Sequence, residues 1–509
     1  MKKGFIKILS IGLLITSLVS CSDWLDVNTD PNNPSEASME LVFPVGTFEV
    51  ATNVGGYYNL LGGMWSQYWT QSNAANQYKF IDGYYVNADD FLLQWSEMYA
   101  GALNDLNYVK VQAEKVENWS MYLMATTMEV YAWQVMVDLY DQIPYSEALQ
   151  GNTGTFSPKY ENGKEIYADL ITKLETALGK DLEAPSSALT STMKKQDQVF
   201  GGDLSSWVKF ANTLKLKLYL HQMYGNAAVA EAGIKKLYSD GAEFLSTDAM
   251  LDIFIDEKDK NNPLYSSNIT NSNVATNLRA SSTLYNFLVE KGDSRFDLLI
   301  DKSPDGKKGV PLPQGGFDIN STVMDPKTIS VFKLSPTTPV YFFSIAESYF
   351  MQAEVVAKGW GNGDAKALYE NGVLAAFSRL DLDGSNYIST GGVYEYPSSG
   401  TFEEKQEAII MQKWLSMAGV QGLEAFLETN RTHYPSVSTI PAWNGTSSAG
   451  SLNPDFKGGS LIYALGGSSE GKKFPKRLLI PQSERSANTN LPDDLKAKKV
   501  TDKVWWDTK

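Results

Sequence analysis

The stretch SIAESYFMQAEVVAKGWGNGDAKALYENGVLAAFSRL, residues 344–380, decides the fold class. Ala346, Phe350, Ala353 and Ala357 recur at spacings of three and four, the period that lines up one face of an α-helix. Gly359 closes that pattern, and Asp364 is placed to cap a second one. In the second, Ala365, Leu368, Gly372, Ala376 and Leu380 face inward. Small residues at Ala353, Gly372 and Ala376 let two helices approach closely. The stretch predicts an antiparallel helical hairpin, close in length to the roughly 34-residue period of stacked helix-pair repeats.

The same period continues on the N-terminal side. Met121, Met124, Met128, Ala132, Val135 and Leu139 share one face, with Asn118 as N-cap and Pro144 soon after the end. Ile166, Leu170, Leu174 and Leu178 form another stripe, and Trp207, Ala211, Leu214, Leu218 and His221 a third. A further helix is predicted from about Glu404 to Met417. Helix pairs can be drawn over 99–140 and 164–224, as degenerate rather than clean repeats. Between them lie long stretches rich in Gly, Ser, Asn, Pro and Thr, at 182–203, 256–281, 301–340, 382–402 and 432–475. Loops of this length in a compact protein are usually functional or disordered. Their scattered aromatics predict ordered surface loops. The expected fold is mainly α, helical hairpins with long irregular loops, with residues 41–509 forming one domain.

Composition narrows the function. The 509 residues include one cysteine and two histidines, so an internal disulfide and multi-cysteine metal or iron–sulfur sites are excluded. A net charge of −15 argues against nucleic acid, which needs a basic face. The N-terminus reads as an address. Lys2, Lys3 and Lys7 precede a short apolar run from Ile8 to Leu18, and Leu18-Val19-Ser20 leads into Cys21. That is the layout of a secretory signal, and the run is short for a membrane span. Leu-Val-Ser-Cys resembles the lipobox of bacterial lipoproteins, in which the cysteine is lipidated and becomes the first residue. Residues 1–20 are read as a lipoprotein signal peptide, Cys21 as the lipidated residue, and residues 21–40 as an acidic, turn-rich tether.

The search for catalysis is mostly negative. No Walker loop and no HExxH zinc motif occurs. Gly467-Ser468-Ser469-Glu470-Gly471 matches GxSxG in form, yet no helix-forming segment and no histidine follows Ser469. His221 lies on an apolar stripe and reads as a core histidine. His433 lies at a helix end. Asp89-Asp90 reads as a helix cap, and Asp381-Leu382-Asp383-Gly384 lacks the later glutamate of a calcium loop. No catalytic residue, metal ligand or cofactor is assigned. Aromatics stand out instead: 12 Trp, 27 Tyr and 22 Phe. Tyr57-Tyr58, Trp65, Tyr68-Trp69, Tyr78, Phe80 and Tyr84-Tyr85 crowd one window rich in Asn, Gln and Gly. Aromatic faces stack on sugar rings or ligand side chains, and amides read hydroxyls. Trp65 lies at helical spacing with Trp69, which fits a core role equally well. The candidate ligand-binding residues are Trp69, Tyr78, Tyr84, Tyr85 and Trp443.

Residues 21–34 read CSDWLDVNTDPNNP, residues 138–149 DLYDQIPYSEAL, residues 207–217 WVKFANTLKLK and residues 347–354 ESYFMQAE. QKWL at 412–415, EAF at 424–426, RTHYP at 431–435, PKRLLIPQSE at 475–484 and VWWD at 504–507 follow in order. Together they resemble the SusD/RagB family of nutrient-binding outer-membrane lipoproteins of Bacteroidetes, with Asp141-Gln142 where Gly-Asp is usual. The resemblance implies a SusD-like fold of tetratricopeptide-like hairpins with irregular loops packed on one side. It implies a binding protein rather than an enzyme, a lid over a SusC-like TonB-dependent outer-membrane transporter. The acidic segment from Ser22 to Asp30 resembles surface-export signals, which places the protein on the cell exterior. Family ligand residues do not carry over position by position. A glycan or oligosaccharide is the first ligand reading and an oligopeptide the second. A secreted glycosidase is the third reading.

Overall fold

The computed structural model describes residues 37–272, 274–467 and 472–509. Cys21, the signal peptide and Ser469 lie outside the described residues. Among the described residues these helices carry the architecture. They are α1 (Met39–Gly55), α2 (Tyr57–Trp65), α3 (Asn104–Lys115), α4 (Trp119–Tyr140), α5 (Gly163–Leu178), α6 (Leu204–His221), α7 (Ala227–Ser239), α8 (Ile345–Ala357), α9 (Ala365–Ser378), α10 (Phe402–Met417) and α11 (Gly422–Thr432). Sequence neighbours pack as hairpins: α3 on α4, α6 on α7, α8 on α9 and α10 on α11. The fold is mainly helical, as the 344–380 pattern predicts.

The predicted ends are there. Asn118 Oδ1 accepts the Met121 amide at 3.0 Å, and Asp364 Oδ1 accepts that of Lys366 at 2.9 Å. Gly359 takes φ +78°, a left-handed turn that favours glycine. Thr401 and Glu404 close a reciprocal capping box at the start of α10. Helix α4 departs from its simple stripe. From Met124 to Tyr140 every side is buried, so it is the central post of the bundle rather than an amphipathic surface helix. Trp506 meets its far end, the indole donating to Asp138 Oδ1 at 2.8 Å.

Two boundaries differ from the sequence reading. Met39 and Glu40, assigned to the tether, already form the first turn of α1. Trp65 ends α2, whereas Trp69 opens a strand, so the two do not share a helix face. The chain breaks helix here because Gln67 takes φ +61°.

Short strands tie the loops together. β1 (Trp69–Gln71), β2 (Leu278–Ala280), β3 (Ile300–Asp301) and β4 (Val331–Phe332) form an antiparallel sheet in the order β1-β2-β4-β3, with Thr70 opposite Arg279 and Arg279 opposite Val331. One cluster of buried apolar side chains runs from Phe43 to Trp506, joining helices and loops.

The tightest crossing is α2 on α11. A Cβ at Gly62 would fall on the backbone of Gly422 and Leu423, and one at Gly422 on that of Asn59 and Gly63. Asn59 Oδ1 holds this contact by accepting the Gly422 amide at 2.7 Å. Gly62→Ala is therefore expected to lower stability by about 1–3 kcal/mol or more, as overpacking does. Gly151→Ala, at a position open to solvent, is the control expected to leave the thermal midpoint almost unchanged.

Candidate functional site

Three loops meet beside the sheet, and two buried polar side chains hold them. Asp82 accepts from Thr70 Oγ1 at 2.7 Å, the Gln71 amide at 3.0 Å, the Gly315 amide at 3.3 Å and the Gln314 side chain. Burial pushes its carboxyl up to about 7 against these donors. Gln67 does the same for the third loop, donating to the Ile462 carbonyl and accepting from its amide at 3.1 Å and from Thr283 Oγ1 at 2.6 Å. Segments 66–85, 312–320 and 461–467 thus form one ordered face.

The backbone turns sharply at Tyr84, with φ +64°. The turn sends consecutive tyrosines to opposite sides. Tyr84 goes inward beside Phe474. Tyr85 goes outward, 41% exposed, its ring lying over Gly83 and its hydroxyl bonded to the Gly466 carbonyl. Next to it Lys79 pairs with Asp318 at 2.8 Å and lies 5.2 Å over the Phe317 ring. Leu465 is exposed on the neighbouring loop, hung from Gln314 by its amide at 3.0 Å. The result is a flat aromatic platform with a charged pair at its edge, which suits stacking on a ring and hydrogen bonding to its substituents.

Of the five candidate ligand residues only Tyr85 lies on this platform. Trp69, Tyr78, Tyr84 and Trp443 are 0–4% exposed. Trp69 packs edge-on against Phe332 at 4.8 Å and donates to the Leu60 carbonyl at 3.2 Å. Tyr78 lies against Tyr57 at 6.4 Å. Trp443 opens a two-stranded hairpin and seals a small cluster with Leu312, Ile319, Met324 and Ile329. These four rings are corrections to the sequence reading. Loops without regular structure need a core of their own, and large rings supply the apolar area for it, so no face is left for a ligand. Lys79, Asp318 and Leu465 escaped the sequence reading. The pair joins residues 239 positions apart, and no local pattern marks it.

The chemistry-bearing residues elsewhere have structural partners. Asp89 accepts the Gln482 amide and Asp90 that of Asn87, while Asp383 caps Ser385. His433 ends α11 in a left-handed turn. His221 is buried with Glu424 and Glu428, in a group whose ligand atoms are close enough to hold a metal. Yet these carboxylates are already matched by fixed cations. Lys217 pairs with Glu424, Lys413 lies 3.2 Å from Glu428, and Arg431 binds Glu428 at 2.7 Å and Glu354 at 2.6 Å. A metal ion would have to displace them, so the donor set does not fit one. Asp138, 3.1 Å from Nδ1, and Glu424 outweigh burial and raise His221 to about 9.

Comparison with known proteins follows from this geometry. Residues 31–452 match the family model SusD-like, described as starch-binding associating with outer membrane. The chain belongs to the SusD-like family. The SusD-like fold is shared with a SusD homologue from Bacteroides uniformis, at TM-score 0.71 and 24% identity, covering 92% of this chain and 99% of that one. A homologue from Bacteroides thetaiotaomicron matches at TM-score 0.70 and 21% identity, covering 93% and 100%. A chitin-binding SusD homologue from Flavobacterium johnsoniae matches at 0.69 and 20%, covering 92% and 98%. No curated protein matches. No helix among the described residues of this SusD-like chain is long and apolar enough to cross a membrane.

The buried charges make stability depend on pH. His221 is raised above its ordinary 6.5, so its contribution is complete below 6.5 and disappears as pH climbs through about 9. Asp82 is raised too, so it also favours the folded state less as pH rises toward 7. Lys217 and His221 hold the Glu424 carboxyl below its ordinary 4.5, against burial, so its contribution is present above 4.5 and lost on acidification. The urea midpoint is expected to be highest near pH 4.5, to fall toward pH 7 as Asp82 ionises and further toward pH 9, with His221→Gln flattening only the fall above pH 6.5.

Proposed function

We propose that this SusD-like protein is a cell-surface lipoprotein that captures glycans or oligosaccharides on the Tyr85 face. It delivers them to a SusC-like TonB-dependent outer-membrane transporter, over which it acts as a lid. The family match carries this reading, since its description joins starch binding to the outer membrane. The chitin-binding homologue supports the same ligand class. The outward ring of Tyr85, set among loops rather than helices, supports the location. The chain binds without turning its ligand over. It is held to the outer membrane by lipid on Cys21, with the acidic segment after it directing the body to the exterior.

Two measurements test this. The chain from residue 22 onward, probed with maltoheptaose, chitohexaose and a peptide library, is expected to bind at least one glycan and no peptide. Tyr85→Ala should weaken glycan binding by roughly 3–10-fold, the worth of one aromatic contact, with an unchanged thermal midpoint. Peptide binding with no glycan response would move the ligand to oligopeptides, and hydrolysis of a bound glycan would make the protein an enzyme. Separately, Cys21→Ser is expected to release the protein from the membrane fraction and abolish its metabolic labelling by palmitate.

A further inference from the structure

On the helical side lies a cleft of about 1150 Å³, between α3, the 144–158 loop and the short helix Gln482–Ala487. It shares no element with the Tyr85 face. Its volume is at or above the roughly 300–1,000 Å³ of small-molecule sites, which suits several linked rings rather than one. The half-buried Tyr99 forms its floor, its ring 4.8 Å from the buried Trp95 and backed by Trp133 at 5.5 Å. Tyr99 is further fixed by donating to the Pro144 carbonyl at 2.8 Å. The opposite wall is equally rigid, because Tyr160 donates to Glu484 at 3.0 Å and Asn488 to the Pro158 carbonyl at 3.0 Å.

The wall formed by α3 is patterned. Leu106, Val109 and Ala113 face the core, while Asn104, Asn107, Tyr108, Val111 and Gln112 face the cleft at helical spacing. The side chains of Asn104, Asn107 and, across the cleft, Asn152 spend no hydrogen bond on any described residue. Three solvent-facing amides around a fixed tyrosine ring are a pairing that suits a sugar: an apolar ring face below, hydroxyls and acetamido groups at the edges.

Charge narrows the class. Asp105 and Glu484 line the cleft against one cation, Lys115. Behind Asp105 stand Glu49 and Glu97, and burial and the neighbouring acids push the Glu49 carboxyl up. An acidic chain would be repelled at this end, a neutral one would not.

We propose that this cleft is a second saccharide-binding subsite, selective for neutral over acidic oligosaccharides. Its ligand class rests on the glycan reading above, while its position does not.

The test is calorimetric titration of the chain from residue 22 onward with chitohexaose, maltoheptaose and oligogalacturonate. Two neutral saccharides per chain are expected, falling to one in an Asn107→Ala/Tyr108→Ala variant, while Tyr85→Ala keeps both and weakens only one of them, by the same roughly 3–10-fold. Ser483→Trp, which narrows the rim without touching the core, should give the same loss as the α3 variant. Oligogalacturonate should bind the cleft at least tenfold more weakly. A wild-type stoichiometry of one, weakened by Tyr85→Ala and indifferent to the cleft variants, would overturn the second subsite alone. Equal affinity for oligogalacturonate would overturn its selectivity. A wild type that binds no glycan would overturn the ligand class of both surfaces together.

Discussion

The guanidinium of Arg431 holds the bundle in register. From α11 it reaches both oxygens of Glu354 on α8, at 2.9 and 2.6 Å, and both of Glu428 one turn back, at 2.7 Å. Gln406 on α10 donates to the same Glu354 at 2.6 Å, and Lys413 on α10 neutralises Glu428. Lys217 then brings α6 to Glu424. Four helices from three hairpins are joined through a set of buried ions. Such a set adds little net stability beside apolar residues of equal shape. Its effect is on alternatives: a one-turn slip of any of these helices would strand a buried charge, at a cost of about 3–5 kcal/mol. Helices with small, smooth contact faces, as at Gly62 and Gly372, need some such device to fix their stagger.

Much of this framework is legible in sequence because it is local. The 344–380 hairpin, its glycine stop and its Asp364 cap are dictated within a few turns of chain, and so are α4, α5, α6 and α10. Other elements are not. α1 carries an internal Pro44 and apolar residues on all sides, so it shows no period. α2 is Gly-rich and sits in a window whose composition suggests loop, yet it is helical because α11 covers it. Both are fixed by tertiary packing, which overrides propensity.

The binding face shows the same division more sharply. The aromatic window points to the right region of the chain, but ring identity does not tell an inward tyrosine from an outward one. Tyr84 and Tyr85 are adjacent and chemically equal. A single left-handed backbone turn separates a core residue from a platform, and that turn is set by Asp82 and the loop at 312–316 far along the chain. The cleft on the helical side is hidden in another way. Its amides lie at helical spacing on α3 and its floor comes from the turns just before it, but its far wall comes from segments tens to hundreds of residues away.

Trp506 links one end of the sequence to the middle of the fold. Its indole and the Tyr167 hydroxyl both satisfy Asp138, a carboxylate in the last turn of α4, and the Trp505 amide satisfies Asp141 just beyond it. Without that segment Asp138 and Asp141 keep His221 and Arg477 but lose these donors, and the end of the post has an open side. The central post is therefore closed by a segment 368 positions further along the chain, so its cover is a long-range contact that no local folding event can supply.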